Sequence, residues 1–396
     1  MTKILFLGGH FPDEMIEQII PNSKRYIQAA ADVLQKSIIK SLRLYFQEIS
    51  IVSLPFVGNY PFRYTKAIIS SQQIEPNHYV VGFNNIVGIN FISRYIQSKK
   101  FITRWAAKES GEKYIIVYSL IIPHLKAAIE AKAADPSIKV CVVIPDLPQY
   151  MSGKTNAIYR FLKNRSFTLI KKYLQQIDSS IVLTEYMIEA LHLEKKNNLV
   201  IESIFDQSFS HFPVVEKKKK KAILYSGTLD KRYGVMDLVH AFGLIKQKDY
   251  ELWICGDGDS REAIEEICQH DKRIIYKGKL PRNKVLELQT EAKVLVNPRS
   301  NDGEYTKYSF PSKIMEYFAS GTPCIINKLD GIPNEYYNYC FVIDGNSHEL
   351  LAAKMQEVCN MPDEELKQIG QKAYEFVKSS KNCTIQGQKI YHLLNQ

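Results

Sequence analysis

The chain has 396 residues, of which 45% are hydrophobic and 24% are charged. A single hydrophobic core stops growing at about 250–300 residues, so this length predicts two domains in a globular protein. No apolar run approaches the roughly 20 residues that a membrane-spanning helix needs. The start, "MTKILFLGGHFP", does not have the form of a signal peptide. Seven cysteines without a C-x-x-C pair predict free thiols in the cytoplasm and argue against a zinc site.

The net charge of +10 is unevenly divided along the chain. Residues 1–205 have 25 Lys and Arg against 16 Asp and Glu, which gives +9 and leaves +1 for the remainder. The first half is therefore expected to face an anionic partner, such as nucleic acid, a phosphorylated acceptor or a membrane surface.

The first half alternates short β-rich runs with longer segments of helical spacing. The strand-like runs are "KILFLGG", "EISIVSL", "KYIIVYS", "KVCVVIP", "SSIVLT" and "LVIESIFD". Between them lie segments such as "NSKRYIQAAADVLQKSIIKSLRLYF", in which apolar residues recur every three and four positions. This alternation predicts a parallel sheet with helices on both faces.

A proline and five lysines, "PVVEKKKKK", interrupt the alternation and predict a solvated linker over residues 206–221. The pattern then restarts with "AILYSG", "YELWICG", "RIIYKG", "KVLVNP", "TPCIIN" and "CFVID". We therefore expect domains at 1–205 and 222–375, with a helix over 376–396 that packs back on the first domain. Two doubly wound domains usually bind ligands in the cleft between them, outside the carboxyl ends of the strands.

Three loops of the second half follow strands and carry glycines or cations. They are "YSGTLDKRYG", "CGDGDSREAI" (with Gly256 and Gly258) and "NPRSNDGEYTKYSFPSK". Glycines let backbone amides approach a phosphate, and a helix N-terminus adds a partial positive charge. One G-D-G-D is also typical of an ordinary tight turn, but three such loops at one sheet edge favour a phosphate site.

The third loop leads into a short helix that begins near Pro311 and ends before Gly321. Its apolar residues recur every four positions, which places Lys313 and Glu316 on the other face. A diphosphate at the helix start would be held by free amides, Ser312 and Lys313. Glu316 lies roughly 4–5 Å further along the axis, where a ribose would present two hydroxyls. The alternative is a surface salt bridge between Lys313 and Glu316, worth well under about 1 kcal/mol.

The stretch "SFPSKIMEYFASGTPCI", preceded by "VNPR" and "LYSGTLDKRYGVMDLVHAF", resembles the C-terminal domain of glycosyltransferase family 4. The resemblance covers most of residues 220–345 and extends more loosely to "FLGGHFP", "IPDLPQYM" and "IDSSIVLTEYM" in the first half. It implies an α/β GT-B fold, with two doubly wound Rossmann-like domains facing across a cleft. It also implies a retaining, metal-independent enzyme without a cofactor, whose expected co-substrate is a UDP-sugar.

The resemblance assigns roles to individual residues. Glu316 resembles the glutamate that binds ribose, and Gly9 resembles a glycine loop that approaches the phosphates from the first domain. The expected donor-binding residues are Gly9, Gly227, Lys231, Arg232, Gly256, Tyr308, Ser309, Phe310, Pro311, Ser312, Lys313 and Glu316. The expected catalytic residues are Lys313, Arg299 and Asp146.

Some positions depart from the family pattern. The first glutamate of E-x7-E would fall at position 308, which is Tyr308, and nearby Glu304 has the wrong spacing. A histidine often follows the fourth long strand of the first domain, where this chain offers Asp146. His10 and His124 lie near strand ends, but a lone histidine is more often structural.

We therefore expect transfer of a sugar from a nucleotide diphosphate donor to a hydroxyl of a saccharide acceptor. Three alternatives stay open: a dinucleotide-dependent oxidoreductase, a nucleic-acid-binding module, and a catalytically silent scaffold that binds nucleotide sugar. "GGHFP" and "CGDGD" match G-x-G-x-x-G poorly, and no nucleic-acid-binding motif is recognised.

The stretch "YRFLKNRSFTLIKKYL", residues 159–174, predicts a basic and partly amphipathic helix. Such a helix could lie on an anionic membrane, or its apolar side chains could be buried against the sheet. The first interpretation predicts a peripheral enzyme at the inner face of the cell membrane, with a lipid-linked acceptor and a role in bacterial polysaccharide assembly. No nucleic-acid partner is expected.

Overall fold

A computed structural model describes residues 2–24, 27–147, 149, 157–206 and 220–396, and for residues 157–163 it describes the backbone alone. The chain forms two compact units. The first consists of residues 1–204 and 383–396, and the second of residues 205–382. Within the described ranges, no helix has the length and apolarity that crossing a membrane requires.

The first unit is built on an eight-stranded sheet with the order β10-β9-β8-β7-β1-β2-β5-β4. Its strands are β1 (Lys3–Gly8), β2 (Ile49–Ser53), β3 (Ile68–Ile69), β4 (Gln72–Glu75), β5 (His78–Val80), β6 (Phe83–Asn84), β7 (Lys113–Tyr118), β8 (Ile138–Ile144), β9 (Ser179–Val182) and β10 (Asn197–Val200). All neighbours in the sheet are parallel except β4, which runs antiparallel to β5. Strands β3 and β6 form a separate antiparallel pair.

Helices cover this first sheet. They are α1 (Asp13–Asn22), α2 (Ala29–Arg43), α3 (Ile89–Lys108), α4 (Ile122–Ala134), α5 (Ala157–Leu174) and α6 (Tyr186–Ala190). Central strands have apolar side chains on both faces, as in β1, where Ile4, Leu5, Phe6 and Leu7 are all at most 1% exposed. Such burial on both faces is the reason that the strands read as continuous apolar runs in the sequence.

The second unit is a six-stranded, wholly parallel sheet with the order β13-β12-β11-β14-β15-β16. Its strands are β11 (Lys220–Ser226), β12 (Glu251–Cys255), β13 (Ile274–Gly278), β14 (Ala292–Asn297), β15 (Cys324–Asn327) and β16 (Phe341–Ile343). Its helices are α7 (Val235–Gly243), α8 (Arg261–His270), α9 (Arg282–Glu291), α10 (Lys313–Ala319), α11 (His348–Asn360) and α12 (Asp363–Ser380). In β11, Ile223 belongs to a core cluster on one face and Leu224 to a cluster on the other.

The last helix, α13 (Cys383–Leu394), belongs to the first unit. It packs on α2, where the hydroxyl of Tyr45 donates to the carbonyl oxygen of Thr384 (2.9 Å). The unit boundary therefore falls at residue 382 rather than at 375, because α12 continues to Ser380 in the second unit. Most of the expected linker at 206–221 lies outside the described residues, and the last two lysines of its run begin β11.

The two Rossmann-like units confirm the predicted α/β fold class. All seven cysteines are free thiols in the structure. Helix α5 forms where the basic amphipathic helix is expected. Part of its apolar content is buried, since Ile170 is 3% exposed whereas Leu169 is 36% exposed.

Candidate functional site

Two glycine loops of the second unit meet at the carboxyl edge of its sheet. The amide of Gly227, after β11, donates to the carbonyl oxygen of Cys255 (2.8 Å). The amide of Leu229 donates to the carbonyl oxygen of Asp257 (3.0 Å). A Cβ atom at Gly256 would overlap the carbonyl oxygen of Gly227. Glycine is therefore required at position 256, because the two loops pack backbone against backbone.

Lys313, the first residue of α10, lies against these loops. Its Nζ donates to the hydroxyl of Tyr225 (2.9 Å) and lies 4.2 Å from the centre of that ring. The Lys313 amine also occupies the space that a Cβ atom at Gly227 would need. Burial lowers the pKa of Lys313 to about 7, with the Glu316 carboxylate raising it and the Arg299 charge lowering it further. Burial thus favours the neutral amine of Lys313, and an anion bound beside it would favour the charged form.

Tyr233 lies among three cations, and sequence reasoning gave it no role. The guanidinium of Arg299 lies 5.7 Å from the centre of its ring, Nζ of Lys313 lies 5.9 Å away, and the guanidinium of Arg232 lies 6.0 Å away. Cations at such distances from an aromatic face are attracted by the ring quadrupole. The ring therefore links the loops that follow β11 and β14 with the start of α10.

Arg299 is 6% exposed and lies directly after β14. Its Nη2 donates to the hydroxyl of Ser309 (2.6 Å), and its guanidinium lies 5.0 Å from the centre of the Tyr305 ring. Its Nε has no hydrogen-bond partner among the described residues. A buried guanidinium with a free donor can accept an additional anionic ligand.

The two cations expected in the first glycine loop differ in whether an acidic side chain neutralises them. Arg232 is paired with the carboxylate of Asp230 through Nε and Nη2 (3.2 and 2.7 Å). The neighbouring Lys231 is exposed, and its amine has no partner in the described part of the chain. Of this pair, Lys231 is the cation available to a ligand, while the charge of Arg232 is already compensated by Asp230.

Glu316 is paired with a residue that the sequence did not point to. Nη2 of Arg282, at the start of α9, donates to Oε1 of Glu316 (3.1 Å), and both side chains are partly exposed. Lys313 and Glu316 form no salt bridge with each other, because Lys313 turns towards Tyr225. The alternative expectation of a Lys313–Glu316 surface pair is therefore wrong.

The turn before α10 leaves two amides without an acceptor. Ile314 donates to the carbonyl oxygen of Pro311 (2.9 Å) and Met315 to that of Ser312 (3.2 Å). The amides of Ser312 and Lys313 donate to no described residue, and the Ser312 side chain makes no capping bond. They lie at the helix start, where free amides, Ser312 and Lys313 are expected to hold a diphosphate.

The remaining expected donor-binding residues are either buried, partly exposed or hydrogen-bonded to Arg299. Phe310 is 6% exposed and packs in the core, 5.1 Å from the Tyr336 ring, so its side chain is structural. Pro311 is buried beside it. Tyr308 is partly exposed at the end of the short 3₁₀ helix Glu304–Tyr308, and the Ser309 hydroxyl accepts from Arg299.

The expected residues of the first unit lie at the carboxyl edge of its own sheet. The amide of Gly9 donates to Oε1 of Gln35 (2.7 Å), and a Cβ atom at Gly9 would overlap the Phe56 ring. Asp146 is exposed after β8. His10 contacts His78 through their Nε2 atoms (2.9 Å), and burial lowers the pKa of His10 to about 3. His124 is buried with its Nδ1 2.8 Å from the Ser98 hydroxyl, which fits the structural role expected for it.

The second unit therefore brings Gly227, Gly256, Lys313 and Arg299 together, and it adds Tyr225, Tyr233 and Arg282. Within the described ranges, no three His, Cys, Asp or Glu side chains are grouped as metal ligands would be. Tyr225 and Tyr233 could have been found from the sequence, because both lie in the stretch "YSGTLDKRYG" that forms the first glycine loop. Arg282 had no such signal, since it is 34 positions from Glu316 and approaches it only in the folded structure.

Comparison with known proteins shows what the chain is similar to. Residues 206–376 match the family model described as "Glycosyl transferases group 1". The fold is shared with a sucrose-phosphate synthase from Thermosynechococcus elongatus (TM-score 0.69, 15% identity, covering 99% of each chain). It is also shared with Anabaena HepE in complex with UDP (TM-score 0.66, 13% identity, 99% of each chain). No curated protein matches the sequence.

The chain therefore has the GT-B fold of these proteins, and its second unit resembles a glycosyl transferases group 1 domain.

Proposed function

We propose that the protein transfers a sugar from a UDP-sugar to a hydroxyl of a saccharide acceptor, with retention of the anomeric configuration and without a metal ion. The anomeric carbon loses its bond to the diphosphate oxygen and forms a bond to the acceptor oxygen on the same face of the sugar. The acceptor's proton passes to the leaving phosphate oxygen. The diphosphate departs with the electron pair of the broken bond.

The observation that carries this proposal is the position of Lys313. Its amine is held by Tyr225 against the Gly227 loop, and the free amides of Ser312 and Lys313 lie at the start of the same helix. Arg299 adds a buried guanidinium with an unused donor. Preorganised donors of this kind stabilise charge that develops on a leaving diphosphate, and they do so without a divalent cation.

Glu316 is proposed to bind the ribose of the donor. Arg282 engages only its Oε1, so Oε2 is left to accept a hydrogen bond from a ribose hydroxyl. Charged acceptors of this kind contribute about 1.5–3 kcal/mol to binding. Glu316 thus holds the donor, while Lys313 and Arg299 act on the diphosphate.

The acceptor is proposed to bind to the first unit and to be a lipid-linked saccharide of bacterial cell-envelope assembly. The net charge of residues 1–205, which is +9, supports an anionic partner. An acceptor of this type would place the enzyme at the inner face of the cell membrane as a peripheral protein.

The test is transfer from a panel of labelled nucleotide sugars to saccharide acceptors, with NMR analysis of the product. We expect the donor's anomeric configuration in the product and full activity in EDTA. An inverted product would overturn the retaining mechanism, and activity abolished by EDTA and restored by a divalent cation would overturn metal independence.

A scaffold that binds nucleotide sugar without transferring it is the second candidate. Tyr308, in the position where the family pattern has a glutamate, favours it, because a phenol does not supply a carboxylate to the donor sugar. Tight UDP-sugar binding without transfer or hydrolysis in the panel would establish the scaffold role. Turnover by the wild type together with loss of turnover in Lys313→Ala would exclude it.

A further inference from the structure

One part of the first unit has an unusual concentration of exposed apolar side chains. Eight of the fifteen large apolar side chains that are exposed in the described ranges lie between residues 62 and 96. They are Phe62, Ile68, Ile86, Val87, Ile89, Phe91, Ile92 and Ile96, and we call them the 62–96 surface. Contiguous exposed apolar patches mark interaction sites, whereas scattered single residues do not.

Backbone pairing shows that these residues are neighbours in space. Strand β3, which has Ile68, pairs with β6 at residues 83–84. Tyr60 bridges to Ile86, which brings the turn that holds Phe62 to the start of α3. The amide group of Asn90 donates to Oδ1 of Asn59 (2.7 Å). The 62–96 surface is thus one patch formed by three connected segments.

The patch rests on a rigid support. Arg94, 8% exposed, donates from its two terminal nitrogens to the carbonyl oxygens of Leu54 and Pro55 (2.7 Å each). Its guanidinium also lies 3.8 Å from the centre of the Phe83 ring. The buried face of α3 is fixed in this way, while Ile89, Ile92 and Ile96 recur at helical spacing on the exposed face.

The rim of the patch is basic. Between residues 60 and 104 the chain has six Lys and Arg and one acid, Glu75, which is paired with Arg43 on α2. Arg63, Lys66 and Lys100 are exposed, and their side chains have no ion-pair partner among the described residues. Lys100 lies on the same face of α3 as Ile92 and Ile96, because the three are spaced four apart.

Apolar side chains surrounded by uncompensated cations are the composition of surfaces that lie in the headgroup region of an anionic membrane. We propose that the 62–96 surface docks on an anionic lipid bilayer, with its isoleucines and Phe62 among the acyl chains and Arg63, Lys66 and Lys100 on the lipid phosphates. This proposal specifies the membrane contact of the proposed function, and it places the main contact here rather than on α5. It does not depend on the transferase activity.

The first test is co-sedimentation of the full chain with phosphatidylcholine vesicles, with and without phosphatidylglycerol, at low salt. We expect binding to the anionic vesicles and at least about tenfold weaker binding of the variant Ile92→Ser/Ile96→Ser. The variant Lys66→Gln/Lys100→Gln should lose the preference for anionic over neutral vesicles, and added salt should produce the same loss in the wild type.

Two controls are matched to these variants. Leu244→Ser/Leu350→Ser removes two apolar side chains of similar exposure from the second unit, and Lys171→Gln/Lys172→Gln removes two charges from α5. Both should bind vesicles within about twofold of the wild type, since neither touches the patch. Unchanged thermal unfolding of all variants confirms that they are folded.

A tryptophan in the patch reports its environment directly. The chain has two tryptophans, Trp105 and Trp253, both at most 6% exposed, so a third at position 92 dominates any change in emission on binding. Ile92→Trp should shift its emission to the blue with anionic vesicles.

Three results would overturn the proposal. The first is equal vesicle binding by the wild type and Ile92→Ser/Ile96→Ser, and the second is loss of binding in the α5 variant alone. The third is a wild-type dimer that ignores vesicles and becomes monomeric in Ile92→Ser/Ile96→Ser, which would make the patch an interface between two copies. None of them bears on the transfer reaction, whose own test is separate.

Discussion

The carboxyl edges of the two sheets differ in the charge of their buried side chains. In the second unit, the edge holds Lys313 and Arg299 with donors left unused. In the first unit, burial lowers the pKa of His10 to about 3 and also lowers that of His78, so this pair stays neutral near pH 7. The second edge thus presents cationic groups, whereas the buried histidine pair of the first edge is uncharged.

Removal of the Lys313 amine is the sharpest test of this comparison and has the largest expected effect. Lys313→Ala should lower kcat by about 10²–10³-fold, because it removes a preorganised donor for the leaving diphosphate. UDP affinity should fall less than kcat. Steady-state kinetics and calorimetry measure the two effects. The control is Lys284→Ala, since Lys284 is an exposed lysine paired with Glu287 on α9. A loss of UDP affinity with kcat unchanged would mean that Lys313 binds the donor without acting in the transition state.

Removal of the Glu316 carboxylate has the next largest effect. Glu316→Ala should weaken UDP binding by about 1–3 kcal/mol, the contribution of hydrogen bonds to a charged group. The wild type should bind a dideoxyribose analogue of UDP as weakly as the variant binds UDP, and the variant should not distinguish the two nucleotides. Glu287→Ala is the matched control on α9. Unchanged UDP affinity in Glu316→Ala would contradict the ribose assignment.

The parts of the molecule that could be predicted from the sequence are those governed by local pattern. The expected strands of the two large sheets are present, because buried parallel strands read as apolar runs, but of "LVIESIFD" only the first two residues lie in a strand, β10. The pair β3–β6, the antiparallel β4 and the strand β5 were not expected, since their segments are too short to show a period. Lys313 was found through its place at a helix start. The Arg282–Glu316 pair was not found, because it depends on how two helices pack.

The pKa of Lys313, lowered to about 7 by burial, makes donor binding depend on pH. A bound diphosphate raises that pKa, so binding takes up a proton wherever the free amine is neutral and the bound amine is charged. UDP affinity should therefore fall by up to about tenfold per pH unit above about pH 7, where the UDP phosphates are already ionised. Calorimetry in buffers of different ionisation enthalpy measures the proton uptake. Lys313→Met should abolish both the uptake and the slope, and a pH-independent affinity in the wild type would contradict the prediction.

The smallest effect is expected at Arg282, which touches the site through Glu316. Its pair with Glu316 is partly exposed, and exposed pairs contribute about 0–1 kcal/mol, so Arg282→Ala should weaken UDP binding by about two- to fivefold. Because Arg282 donates to Oε1 of Glu316, we expect it to position Glu316 for the proposed ribose contact rather than to touch the donor.

A double-mutant cycle separates positioning by Arg282 from direct contact with the ligand. If Arg282 acts through Glu316, Arg282→Ala should have no effect in the Glu316→Ala background, and Arg282→Lys should restore part of the loss in the wild-type background. Arg261→Ala is the control, since Arg261 is an exposed arginine paired with Glu265 on α8. Additive losses in the cycle would instead mean that the guanidinium of Arg282 contacts the nucleotide itself, and Glu316 would then hold the ribose without a partner.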